Sequence, residues 1–234
     1  MTPLLKKYIF PCFTLAAGAG GLLLRNWLFA AGQDGLLPEH HIAGILLMLL
    51  LAVVLAVCLR ATKKMELSND YVDLFPKSTI AGLGTALGAL GMGWAGYKAE
   101  AMGALALLLP VLAMLGTGAL LVGAYCRIQG RKPHCLTYGI FTVYLIVYTL
   151  MRCRGWGREP QLQMYFFPLL GVLFLLMAGY YRAEMANRTE NCRRYSFFAQ
   201  AALFCCCCSL RGADWLFYLS GAIWVAADGC SLSA

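Results

Sequence analysis

Eight apolar runs separated by short polar breaks constrain the fold of this chain more than any other feature. They cover residues 8–31, 42–60, 79–97, 101–125, 136–151, 162–181, 195–210 and 213–227. A helix needs about 20 apolar residues to cross the hydrocarbon core of a bilayer. The fifth and seventh runs are short, so six or seven spans are an alternative if one pair is re-entrant. The pattern predicts an all-α, polytopic membrane bundle of about eight transmembrane helices, with residues 1–234 in a single transmembrane domain.

Composition excludes a soluble domain. Hydrophobic residues make up 61% of the 234 residues and charged residues only 13%, about half of the roughly 25% that soluble domains carry. A soluble core could not hide this much apolar surface. The first run continues through Gly21 to Leu24 without a good cleavage site, so we expect a retained helix there and not a signal peptide.

Lysine and arginine residues predict the orientation in the membrane. With the N-terminus in the cytoplasm, thirteen of the 19 Lys and Arg residues fall on the cytoplasmic side. Cytoplasmic loops of membrane proteins carry such an excess, so we expect both termini to be cytoplasmic. The formal charge of +8 then reflects topology and contact with anionic lipids of the bilayer. The basic residues are scattered over short segments, which argues against nucleic-acid binding.

Arginine residues at the outer ends of two runs depart from this rule. The first run ends with an Arg-x-Trp motif at Arg25 and Trp27, and a second such motif begins at Arg154, just beyond the fifth run. Tyr148 lies four residues before Arg152, which places both on one helix face. Guanidinium groups bind carboxylates and phosphates bidentately. We therefore hypothesise that Arg25, Trp27, Tyr148, Arg152 and Arg154 bind an anionic small molecule or a lipid headgroup.

Simpler interpretations of the same residues stay open. Arg25 lies about 25 Å along the first helix and can extend its guanidinium to the interface as an anchor. The aromatic stripe of Phe141, Tyr144 and Tyr148 faces either a cavity open to the outside or the surrounding lipid. Long loops after the first and fifth runs, together with the repeated motif, suggest two four-helix halves, as in some transporters.

Small residues dominate the third run and form one face of the first. Gly84 and Gly88 make a GxxxG face, and Gly18 and Gly21 belong to a similar face near Thr14. Such faces let two helix backbones approach closely in lipid. We expect the first and third helices to contact each other, with a homodimer interface as an alternative.

No motif for catalysis, metal binding or a cofactor is evident. The side chains of Cys205–Cys208 point in different directions around a helix and cannot converge on one zinc ion. We therefore expect these cysteines to act as small apolar filler in the helix packing. His40 and His41 are adjacent and lack the spacing of a metal-binding motif. Asp214 and Asp228, at the two ends of the last run, are interpreted as flanking or capping a helix. We therefore predict no catalytic residue, no metal site and no cofactor.

Several stretches resemble a family of bacterial membrane proteins. They are residues 156–170 and 176–182, the opening segments 24–30 and 35–38, and the closing segment 217–224. They are similar to uncharacterised multi-pass membrane proteins of clostridial-type gut Firmicutes, a family with no assigned activity. The resemblance implies a bacterial cytoplasmic membrane and transfers no functional residue.

Three classes of function are compatible with these features. Size, helix count, glycine-rich runs and the outer arginines favour a small secondary transporter or a membrane-embedded binder of an anionic solute or lipid headgroup. The alternative is a structural or sensory protein that acts through a partner membrane protein or as a homo-oligomer. An intramembrane enzyme is disfavoured because no GxSxG or HExxH motif occurs, and the lack of a P-loop excludes ATP hydrolysis by this chain.

Overall fold

The computed structural model describes residues 3–31, 42–63, 71–99, 105–156, 165–187, 192–212 and 214–229. Within these ranges the chain forms eight long helices and one of four residues. Their bounds are α1 Pro3–Ala30, α2 Ile42–Lys63, α3 Tyr71–Leu74, α4 Thr79–Lys98, α5 Leu105–Gln129, α6 Cys135–Trp156, α7 Phe166–Met185, α8 Cys192–Cys208 and α9 Trp215–Gly229. The all-α bundle predicted from the apolar runs is confirmed. His40 and His41 lie outside the described residues.

Five helices of the described part are long and apolar enough to cross a membrane. They are Phe10–Ala30, Ile42–Lys63, Leu107–Gln129, Cys135–Arg154 and Phe166–Met185, and they fit a membrane protein. α8 and α9 have 17 and 15 residues, fewer than the roughly 20 of a full span. The bundle surface is suited to lipid, because large apolar side chains such as Ile80 and Leu107 are 85% and 81% exposed.

Local signals set the ends of α4 and α5 and thereby place Arg127. The side-chain oxygen of Ser78 accepts a hydrogen bond from the Ala81 backbone N–H and caps the start of α4. α5 ends before Gly130, whose φ of 72° lies in the left-handed region that glycine adopts without steric cost. Arg127 therefore lies in the last turn of α5, at the end of the bundle where α4 begins.

α8 is enclosed by other helices along most of its length. Thirteen of its 17 residues are buried, and it contacts α1, α2, α7 and α9. The side chains of Cys205–Cys208 are all buried although they point in different directions around the helix. This agrees with the interpretation of the four cysteines as small apolar filler.

The glycine faces contact partners other than those expected. Gly18 and Gly21 lie against Cys207 and Cys208, so α1 packs on α8. Gly88 lies against the backbone of α9, and Gly84 lies against a side chain of the same helix. The expected contact between the first and third apolar runs is therefore wrong: the described parts of α1 and α4 make no substantial contact.

The first four long helices do not form a separate half of the molecule. The α1–α2 pair packs on α8, whereas α4 and α5 pack on α9 and α6. Two cores correspond to these groups: a large one inside α4–α9, and a smaller one around Leu47, Val54 and Phe204. Among the described residues, the α1–α2 pair is thus attached to the outside of a six-helix core bundle.

Candidate functional site

The predicted stripe on α6 lies inside the bundle, where Phe141 and Tyr148 contact α9 and Tyr144 packs against α4 and α5. Phe141, Tyr144 and Tyr148 are all at most 1% exposed. The Tyr148 ring stacks on Phe217, with their centroids 4.1 Å apart. The sequence left two interpretations open, a lipid-facing stripe and the lining of an outward-open cavity. Both are replaced by packing of the stripe against α4, α5 and α9 inside the bundle.

Arg152 has its own partners at the outer end of this interface. It forms an ion pair with Asp214, the residue before α9, and its Nε donates a hydrogen bond to the Tyr148 hydroxyl at 3.3 Å. The Arg152 and Asp214 side chains are 25% and 20% exposed. Asp214 thus does more than flank a helix, because it ties the start of α9 to the end of α6.

Arg25 lies between α1 and α8 and is only 5% exposed. Its Nη1 donates a hydrogen bond to the backbone carbonyl of Cys208 at 2.7 Å, and its guanidinium lies over the Phe29 ring. The interpretation of Arg25 as an anchor that reaches the interface is therefore replaced by a buried contact with the end of α8. Trp27 and Arg154 are exposed.

The structure thus brings together only part of the predicted outer site. Arg152 contacts Tyr148 and Asp214, whereas Arg25 binds the end of α8. Two acidic residues of the loops that follow these arginines, Asp34 and Glu159, lie outside the described residues. Anion binding by the outer arginines stays a prediction.

A second charged cluster, which the sequence analysis missed, lies at the opposite end of the bundle. Asp228 near the end of α9 accepts hydrogen bonds from Arg127 Nη1 at 3.0 Å, Arg182 Nε at 3.1 Å and the Tyr195 hydroxyl at 3.0 Å. These four side chains come from α5, α7, α8 and α9. All four residues are at most 5% exposed. The interpretation of Asp228 as a residue that only caps or flanks its helix is therefore wrong.

Aromatic rings surround the Arg182 guanidinium. Its Cζ lies 3.4 Å from the ring centroid of Phe75, 4.9 Å from that of Tyr138 and 5.2 Å from that of Tyr71. Rings attract a cation through the negative charge on their faces, more strongly when water is excluded. The rings therefore offset part of the cost of burying this charge.

The short helix α3 and Phe75 cover the cluster at the end of the bundle that is predicted to be cytoplasmic. Tyr71, Leu74 and Phe75 are buried, with exposures of 5%, 6% and 3%. Burial raises the pKa of Tyr71, and the neighbouring Arg182 offsets part of that shift. Tyr71 therefore remains a neutral phenol at physiological pH, able to donate a hydrogen bond.

The hydrogen-bonding capacity of Arg182 is not fully used by the described residues. Its Nε donates to Asp228, but its Nη1 is buried and has no hydrogen-bond partner in the described part of the chain. Leaving a buried charged donor unsatisfied is costly, more so than for a neutral group. The cluster therefore has at least one donor, on a fully buried cation, that is able to bind a further acceptor.

Neither similarity to known proteins nor a metal-binding geometry within the described residues assigns a function to this chain. Comparing the chain with protein-family models, curated proteins and solved structures finds no match. Within the described ranges, no three His, Cys, Asp or Glu side chains are grouped in a way that could hold a metal ion. The buried charged residues are therefore the candidate functional site. We call them the Asp228 cluster: Arg127, Arg182, Tyr195 and Asp228.

Proposed function

We propose that this chain is a multi-pass protein of a bacterial cytoplasmic membrane that binds an anionic solute, in the manner of a small secondary transporter. The Asp228 cluster is the observation that carries the proposal. Ionisable residues inside membrane-spanning bundles are costly and commonly mark binding sites or ion pathways. Here two arginines meet at one carboxylate among four helices, with a buried donor of Arg182 still available.

The ligand class follows from the groups that already hold Asp228. Two guanidinium groups and one phenol bind its carboxylate. The same donors fit the carboxylate or phosphate of a small organic anion, because guanidinium binds both in the same geometry. Asp228 thus acts as an internal substitute for the solute, and the solute displaces it or binds beside it at Arg182 Nη1.

Access to the cluster requires movement of α3. Phe75 contacts both arginines, with its ring centroid 4.9 Å from the Cζ of Arg127 and 3.4 Å from that of Arg182. α3 has only four residues, so its displacement breaks few helical hydrogen bonds. In the proposed orientation this movement opens the cluster to the cytoplasm, which is the expected geometry of one gate in an alternating-access cycle.

Ligand-dependent stabilisation tests the site. We expect one member of a panel of small carboxylates and phosphates to raise the melting temperature of the purified protein in detergent. A ligand at 100 times its Kd adds about 2.7 kcal/mol of stability. Arg182→Lys removes the planar guanidinium but keeps the charge and should abolish most of this shift, while Arg152→Ala at the outer end should leave it intact.

The opposite response of the two variants would indicate a different binding site. If Arg152→Ala abolishes the shift and Arg182→Lys does not, the outer arginines form the binding site. If Arg182→Lys does not fold, Tyr195→Phe provides a second test, because it removes one donor to Asp228 and should weaken binding without removing charge. If no panel member shifts the parent protein, the proposal of an anionic solute is contradicted.

The orientation has its own test. Reporter fusions after Lys132 and after Arg158 are expected to give cytoplasmic and extracytoplasmic signals, respectively, since the Lys and Arg residues are concentrated on the side predicted to be cytoplasmic. A fusion after Lys63 should match the one after Lys132. Reversed signals would place the Asp228 cluster at the outer surface.

A further inference from the structure

A groove of about 570 Å³ lies between α4 and α5 on the outside of the bundle. Its walls include Leu90, Trp94 and Tyr97 of α4 and Met114, Gly118 and Leu121 of α5. Its volume is within the roughly 300–1,000 Å³ that is usual for ligand sites. The groove shares helix α5 with the Asp228 cluster but none of its residues. Binding of a ligand in the groove does not depend on the proposed function.

A missing side chain on α5 helps to keep the groove open. Gly118 is exposed, and a Cβ atom built on it would meet nothing within 4 Å. The Thr117 hydroxyl next to it donates a hydrogen bond to the carbonyl of Ala113 at 2.7 Å. With that hydroxyl bonded to its own helix, the groove presents a mainly apolar surface, which suits a hydrocarbon chain.

One end of the groove carries a cation and interfacial aromatic residues. Trp94 and Tyr97 lie in the last two turns of α4 and are 56% and 49% exposed. The Lys98 ammonium lies 5.3 Å from the centroid of the Trp94 ring. Trp and Tyr residues are typical of the level of the lipid headgroups. The groove thus extends from the headgroup level towards the middle of α5.

We propose that this groove binds one acyl chain of an anionic phospholipid, with the headgroup phosphate next to Lys98. Charge complementarity favours this occupant, because a cation stands at the headgroup end of an apolar channel. Trp94 supports the same position by holding the ammonium over its ring. A second copy of this chain would need no anionic group at Lys98.

Binding of matched lipids tests the proposal. The delipidated full-length protein is mixed with phosphatidylglycerol or with phosphatidylcholine of the same acyl chains, and bound lipid is counted by native mass spectrometry. We expect phosphatidylglycerol to be retained in preference. Gly118→Leu fills the groove and should weaken its binding by about tenfold or more, equal to about 1.4 kcal/mol. Lys98→Gln should remove the preference between the two headgroups.

Gly139→Leu is the matched control. Gly139 lies on α6, and its added Cβ would also meet nothing within 4 Å, so this variant should retain lipid as the parent does. Equal binding by Gly118→Leu and Gly139→Leu would overturn the proposal. A dimer in detergent that Gly118→Leu dissociates, whichever lipid is present, would identify a second copy of the chain as the occupant instead.

Discussion

Replacing Asp228 with alanine is expected to destabilise the folded bundle by roughly 3–5 kcal/mol, because breaking a buried ion pair leaves a charge uncompensated. Two guanidinium groups would lose the carboxylate that they share, and Tyr195 would lose its acceptor. The free energy of unfolding, measured by denaturant titration in detergent, gives the size of the effect.

Asp214→Ala, at the residue just before the same helix, is the matched control. Asp214 also pairs with an arginine, but its side chain is 20% exposed, compared with 2% for Asp228. Exposed ion pairs are screened by water and contribute at most about 1 kcal/mol. We therefore expect a much smaller loss for this variant. Equal losses for the two variants would mean that the Asp228 cluster is solvated, and that its burial does not govern its energetics.

Chemical rescue separates a binding site from a structural ion pair. Asp228→Ala leaves a space the size of a carboxylate group between two arginines. If the cluster admits anions, added formate should restore part of the lost stability in a concentration-dependent manner. Asp228→Leu fills the same space and should not respond. Failure of formate to rescue the alanine variant would indicate that α3 seals the cluster permanently.

The helices were predictable from sequence because each depends on a local property. About 20 consecutive apolar residues demand a helix in lipid, since every backbone polar group there must be satisfied within its own segment. The run at 42–60, for example, corresponds to α2 at Ile42–Lys63. The bounds of the other long helices follow the runs in the same way.

The Asp228 cluster was not predictable because its partners are far apart in the chain. Asp228 is separated from Arg127 by 101 residues and from Arg182 by 46. The two arginines also had a sufficient local explanation, because the positive-inside rule accounts for basic residues at cytoplasmic helix ends. One signal was available: Phe217, Trp224 and Asp228 share a helix face by their spacing, so the acid continues an aromatic face that the structure shows to be buried.

Which helices contact each other could likewise not be predicted from local sequence patterns. The GxxxG face of Gly84 and Gly88 indicates that another helix approaches closely. It does not indicate which helix, because any helix without bulky side chains at the contact can pack there. In the structure that helix is α9, and the small residue Ser220 lies opposite Gly88. The small-residue face of α1 packs against the cysteines of α8.

Gly88→Leu is expected to destabilise the protein by more than about 3 kcal/mol, at or beyond the upper end of the usual range for overpacked cores. A Cβ atom at Gly88 would lie 2.7 Å from the Ser220 carbonyl oxygen and 3.0 Å from the Trp224 backbone nitrogen. These are backbone atoms, so a rotamer change cannot relieve the clash and α9 must move as a unit. Because α9 carries Asp228 near its end and follows Asp214, its displacement also strains the ion pairs at both ends.

Size-exclusion profiles and thermal unfolding in detergent measure the outcome for Gly88→Leu. Most of the protein is expected to leave the folded, monodisperse fraction. Gly139→Leu adds the same side chain where nothing lies within 4 Å and should behave as the parent does. Gly88→Ala places only the clashing Cβ and should give an intermediate loss. If Gly88→Leu unfolds at the parent temperature, α4 and α9 are not in contact, and the buried position of the Asp228 cluster must be reconsidered.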